Sequence, residues 1–194
     1  MSDKVNEGLW AWKQSENNNR MIELQAGADA VGEVRLGYFG GSAFRITTPA
    51  GLTLMIDPWR NPPWGTWNWY LCDFPEVEVD IGLSTHAHFD HDALHRLRAS
   101  TLLDRLDVDW AGLTRKLTPL ETLPPNNWRS FDNTIYVIET GGLRILHWGD
   151  NRPDPGPGVW DQIGQIDVAL LPIDGSKHIL GYDQVAALRA KIGA

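Results

Sequence analysis

The sequence predicts an α+β domain. Short apolar runs broken by Gly, Pro and Asp turns fill the first part, and strands followed by a helical pattern recur in each half. The length of 194 residues suits one domain with a real core, which is the expectation, and a barrel or a sandwich of two halves also fits it.

Met1 to Arg20 is polar, and its Gln14-Ser15-Glu16-Asn17-Asn18-Asn19 run reads as a loop, so residues 1–33 are expected to form an N-terminal arm. Residues 34–194 are expected to form the single domain. Val34 to Phe39, Ala43 to Thr48 and Leu52 to Asp57 alternate with Gly40-Gly41 and Pro49-Ala50-Gly51, the pattern of consecutive antiparallel strands with tight turns. Trp59 to Tyr70 has neither helical nor strand periodicity and reads as a loop. Val77 to Ser84 is a buried strand, and Leu94, Leu97, Leu102 and Leu103 predict a helix over Asp92 to Arg105.

Thr134 to Thr140 and Leu143 to His147, joined by Gly141-Gly142, read as a hairpin ending in Trp148-Gly149-Asp150. The prolines of Pro153-Asp154-Pro155-Gly156-Pro157-Gly158 lack amide protons and restrict their predecessors, which predicts a stiff loop. Asp167 to Pro172 is a short buried strand, and Asp183 can cap a final helix through Val185, Leu188 and Ile192.

The net charge of −8, with no run of Lys and Arg, argues against nucleic acid as a partner. A single cysteine, Cys72, permits no internal disulfide, and a cytoplasmic location is the default. No signal-type apolar region and no stretch of roughly 20 apolar residues is present, so no membrane span is expected.

Three of the six histidines fall within His86-Ala87-His88-Phe89-Asp90-His91, directly after the strand Val77 to Ser84. Imidazole and carboxylate are ligands for a borderline divalent ion such as zinc, and with one thiol in the chain the donors must be nitrogen and oxygen. His86 and His88 share one side of an extended segment, and the turn after them can bring Asp90 and His91 round. Two ions can then be served, provided a bridging carboxylate comes from elsewhere. A solvated polar loop is the plainer alternative.

This His-x-His-x-Asp-His spacing resembles the metallo-β-lactamase superfamily. So do Tyr38-Phe39-Gly40-Gly41-Ser42-Ala43-Phe44-Arg45-Ile46, Leu54-Met55-Ile56-Asp57-Pro58 and Ile145-Leu146-His147-Trp148-Gly149-Asp150. Within it, Asp167-Val168-Ala169-Leu170-Leu171-Pro172-Ile173 is most similar to the branch of ascorbate-phosphate lactonase and the phospholipase D that acts on N-acylphosphatidylethanolamine. The resemblance implies a four-layer αβ/βα sandwich, shortened at the C-terminus relative to that family. It also implies a metal-dependent hydrolase of a small-molecule ester, lactone or phosphodiester.

By resemblance, Asp150 bridges the ions, so the expected metal ligands are His86, His88, Asp90, His91 and Asp150. They would hold one or two divalent ions, zinc first, with manganese or iron as alternatives. Asp90 is expected to orient the attacking water. The family's further Pro-x-x-His is replaced by Leu123-Pro124-Pro125-Asn126-Asn127-Trp128, and its terminal histidine has no counterpart; His178 is the candidate to rebuild the site, as a catalytic or metal-contacting residue. The same departures support a rival reading, a non-catalytic metal-binding or interaction module. An open edge on the second sheet would admit a second copy, making a homo-oligomer.

Two further groups carry paired readings. Asp57 either hydrogen-bonds a metal-bound imidazole or simply forms an Asp-Pro turn. Trp59, Trp64, Trp67 and Trp69 either wall a cleft or pack the domain. His95 reads as a helix-surface residue, and His147 as a supporting one.

Overall fold

The computed structural model describes residues 32–61, 70, 73–104, 117–121, 133–175 and 179–193. Strands β1 (Arg35–Tyr38), β2 (Phe44–Thr47), β3 (Thr53–Ile56), β4 (Val77–Ser84) and β5 (Leu97–Asp104) form one sheet in that order. A second sheet runs β6 (Leu117–Glu121), β7 (Thr134–Thr140), β8 (Leu143–His147) and β9 (Val168–Leu170). β1 to β3 and β6 to β8 pair antiparallel, whereas β3, β4 and β5 are mutually parallel, as are β8 and β9.

The sheets pack face to face. Ile46, Leu54, Ile56, Ile81 and Leu83 of the first meet Tyr136, Ile138, Ile145 and Leu170 of the second in one buried cluster. The other face of the second sheet, with Ile135, Val137 and Leu146, is covered by α1 (Pro157–Ile163) and α2 (Tyr182–Ile192) through Ile163, Leu188 and Ile192. The other face of the first sheet is covered by Phe39, Trp59 and Phe74, with the Trp59 indole N–H donating to the Phe39 carbonyl at 2.8 Å. β4 serves both faces: Val77 and Val79 join the outer cluster, Ile81 and Leu83 the inner. The α+β sandwich expected from the sequence is the architecture found.

The helix predicted over Asp92 to Arg105 is not formed by its described residues, which end at Asp104. Leu94–Arg96 makes one 3-10 turn, and Leu97–Asp104 is β5, parallel to β4. The leucine spacing suits a helix, but seven residue pairs with β4 offer the backbone a sheet edge, and short apolar segments follow their neighbours. Gly82 marks the fit, since a Cβ there would stand 2.7 Å from both Leu97 Cδ1 and Leu102 Cδ2. β6 was not foreseen either, its Pro119 being a poor strand residue.

Two helix starts also differ from expectation. Gly181, not Asp183, is the N-cap of α2, and the Gln184 side chain accepts from its N–H at 2.8 Å, leaving Asp183 in the first turn. The proline-rich loop ends earlier than expected, because Pro157 opens α1, where a missing amide proton costs nothing. No helix among the described residues is long and apolar enough to cross a membrane.

Candidate metal centre

Parallel pairing aligns the C-terminal ends of β3 and β4, and contacts of Thr85 and His91 with Gly149 and Asp150 set the end of β8 beside them, so each end delivers part of the site: Asp57, the segment Thr85 to His91, and Trp148-Gly149-Asp150. The ligand segment is tied down along its length. Thr134 N–H donates to Thr85 O at 2.9 Å, His91 N–H to His88 O at 3.0 Å, Arg60 N–H to Phe89 O at 2.8 Å and Ala93 N–H to Pro58 O at 2.7 Å. Arg60 also pairs with Asp92 at 2.9 Å.

The Asp150 turn is held by Asn133, whose amide donates to Trp148 O at 3.1 Å and accepts from Asp150 N–H at 3.1 Å. Gly149 has φ +60°, and a Cβ on it would lie 2.5 Å from Asn133 Oδ1 and 3.0 Å from Thr85, so only glycine fits. Sequence reasoning missed Asn133 and Thr85. Thr85 abuts the ligand cluster, which was a usable signal; nothing local marks Asn133.

Two donor groups result. His86, His88 and Asp150 offer one ligand atom each within 4.8 Å of one another, and Asp90, His91 and Asp150 do the same. Asp150 belongs to both. Within them, His86 Nε2 is 3.0 Å from His88 Nδ1, and His91 Nε2 is 3.3 Å from Asp150 Oδ2 and 3.7 Å from Asp90 Oδ2.

The hydrogen bonds behind these donors decide which nitrogens face inward. Asp57 is fully buried with φ 51°, and it accepts from Thr85 N–H at 2.6 Å, from Thr85 Oγ1 at 2.8 Å and from His91 Nδ1 at 2.8 Å. Because the Thr85 hydroxyl spends its proton on Asp57, it must accept from His86 Nδ1 at 3.0 Å. The Nε2 atoms of His86 and His91 are therefore the ones turned to the hollow.

Charge is distributed to match. Burial, and next the neighbouring His91, push His86 down to about 3, so it is a neutral imidazole with a lone pair. Burial opposes ionisation of Asp150 and Asp57, but His91 holds both below the ordinary carboxylate range. His91 itself overcomes burial through Asp57 and Asp150 and is raised well above the ordinary histidine value. Asp90 is raised by burial and by Asp150. His86 already offers a neutral imidazole and Asp150 an ionised carboxylate, while His91 would give up a proton to an ion; imidazole nitrogen and carboxylate oxygen aimed at one hollow are the donor set that a borderline divalent ion requires, so these residues fit the implied metal.

Other candidates fall outside these groups. His147 is buried, its Nε2 donating to Ser42 O at 2.9 Å and standing 3.9 Å from Asp57. His95 is exposed, on the 3-10 turn and not on a helix. Trp59 is fully buried and stacks on Tyr70, the packing reading of that residue. His178, Trp64, Trp67, Trp69 and Asn126-Asn127 lie outside the described residues.

Residues 35–193 match the family model described as the β-lactamase superfamily domain, and the chain belongs to the metallo-β-lactamase superfamily. Relatives named metal-dependent hydrolases include one from Methanosphaera stadtmanae, 40% identical over 81% of this chain and 79% of its own. Another, from Rubrobacter xylanophilus, is 34% identical over 83% and 78%. For a third, from Polynucleobacter asymbioticus, 34% identity extends over 61% of this chain but only 41% of the relative, so the chain spans less than half of that protein.

Among solved structures, a Thermotoga maritima protein put forward as a zinc-dependent hydrolase of the superfamily shares the fold. Its TM-score is 0.65 at 24% identity, over 84% of this chain and 72% of that one. The diiron β-hydroxylase CmlA of Streptomyces venezuelae does so at a TM-score of 0.54 and 17% identity, over 83% and 43%.

Proposed function

We propose that the protein is a metal-dependent hydrolase of a small-molecule ester, lactone or phosphodiester. The observation that carries this reading is the meeting of two three-residue donor groups on one carboxylate, Asp150. His86, His88 and Asp150 would hold one divalent ion and Asp90, His91 and Asp150 a second, with zinc the first candidate and manganese or iron the others. Such ions supply an acidified water and positive charge for an oxygen that becomes anionic during attack.

The chain's own residues orient and tune that chemistry. Asp57 fixes His91, and Thr85 fixes His86, each through the ring nitrogen turned away from the hollow. Asp90 would orient the attacking water beside the ion it helps to hold. His178, which precedes α2 in sequence, is proposed to contact substrate. The lactonase and phospholipase branch is the proposed neighbourhood within the superfamily, on the resemblance of Asp167 to Ile173.

The test is reconstitution of metal-free protein with zinc, manganese or ferrous iron, reading bound metal and turnover of generic ester, lactone and phosphodiester substrates. Stoichiometric metal with turnover, both lost in Asp150→Ala, supports the reading, and wild-type protein that binds no metal refutes it. The Asn126-Asn127 sequence in place of the family's Pro-x-x-His favours a second reading, a non-catalytic metal-binding module. Stoichiometric metal without turnover of any substrate would select it.

A further inference from the structure

We propose that Tyr70 is a substrate-contacting residue of this site, its phenol donating a hydrogen bond to a substrate oxygen held beside Asp90 and Asp150. The assignment rests on the hydrolase reading above and adds to it a protein-supplied donor from a segment outside the ligand motifs.

Tyr70 is placed by three independent contacts. Its ring stacks on the fully buried Trp59, with centroids 3.5 Å apart and planes 9° from parallel. Asn61 clamps its backbone twice, donating to Tyr70 O at 3.0 Å and accepting from Tyr70 N–H at 3.0 Å. Its hydroxyl lies against Gly41, where an added Cβ would stand 2.3 Å from the phenol oxygen. The next residue, Ser42, accepts from His147 with its carbonyl, so Gly41 sits beside the site. Arg60, between Trp59 and Asn61, is bonded to the ligand segment at Phe89 and Asp92.

Among the described residues the hydroxyl makes no hydrogen bond. Both hydrogen bonds that Tyr70 makes among the described residues pass through its backbone, and stacking on Trp59 would be served equally by phenylalanine. With no hydrogen bond among the described residues and without being fully buried, the hydroxyl is open to an acceptor from outside. Burial first, and then Asp90, Tyr38 and Asp150, oppose its ionisation. A donor fixed by stacking and clamping, next to the ligand carboxylates, can meet a carbonyl or phosphoryl oxygen and strengthen its bond as that oxygen gains charge.

The experiment compares metal-loaded wild type with Tyr70→Phe, which keeps the ring. Read for each are metal stoichiometry, melting temperature, affinity for inorganic phosphate by calorimetry, and kcat and KM on the best generic substrate. Expected are unchanged metal content and melting, phosphate binding weaker by about 10-fold, and kcat lower by about 10- to 100-fold with a smaller change in KM. Unchanged phosphate affinity and kcat overturn the assignment, as does a variant that loses metal or melts lower, which would make the hydroxyl structural. Wild-type protein without metal fails at the earlier step and removes the hydrolase reading together with this one.

Discussion

Asp57 Oδ2 lies 2.8 Å from His91 Nδ1, and the two side chains, 34 residues apart in sequence, are both buried. One carboxylate thus sets the direction in which His91 presents Nε2 to Asp90 and Asp150. Asp57 does so at φ 51°, a left-handed conformation that costs a non-glycine residue on the order of 1 kcal/mol or more.

Asp57→Asn should weaken metal binding by about 10- to 100-fold, because the amide has one acceptor oxygen and cannot accept from Thr85 N–H, Thr85 Oγ1 and His91 Nδ1 together, so the bond that fixes the His91 ring is lost. The metal-free variant should also lose about 3–5 kcal/mol of stability, as expected when one member of a buried pair is removed. Metal titration and urea unfolding measure the two effects separately.

Metal uptake should release protons, and affinity should fall as pH falls. His91 is raised well above the usual histidine value, so near neutral pH the metal-free protein carries a proton on the Nε2 that faces Asp150. An ion binding that nitrogen must displace the proton; acid therefore favours the free form and alkali the bound form. Calorimetry in buffers of different ionisation enthalpy should show more than zero protons released per ion, fewer as pH rises through the His91 value.

Asp150→Ala and His88→Ala should differ in kind. Asp150 belongs to both donor groups and His88 to one, so the first should abolish binding of both ions and the second should weaken one. Elemental analysis after equilibration with excess zinc distinguishes loss of two ions from loss of one.

Gly149→Ala should cost about 1–3 kcal/mol through its left-handed backbone, and more through contact with Asn133 and Thr85. Moving the turn also moves Asp150, so metal affinity should drop with stability. Asn133→Ala, which removes the clamp without adding bulk, should reproduce the loss of affinity by a smaller margin.

The seven strands foreseen from turn chemistry and apolar runs, and the ligand cluster after β4, were legible because their signals are local. His86 to His91 are neighbours in the chain, and the Gly149-Asp150 turn follows a hairpin that announces itself. What escaped was set by distant partners. The leucines of Asp92 to Arg105 fit a helix until β4 offers a parallel edge. The hold of Thr85 on Asp57 spans 28 residues and that of Asn133 on Trp148 spans 15, separations at which no periodicity speaks.

The chain by itself therefore determined the class of fold and the donor types, since both follow from residue identity and short spacing. Only the tertiary structure decided that Asp150 joins both donor groups, that Asp57 and Thr85 turn two imidazoles inward, and that the Tyr70 phenol lies by Gly41. Each of these is a contact between segments far apart along the backbone, and the first two arise where the ends of the parallel strands β3 and β4 meet the end of β8 from the other sheet.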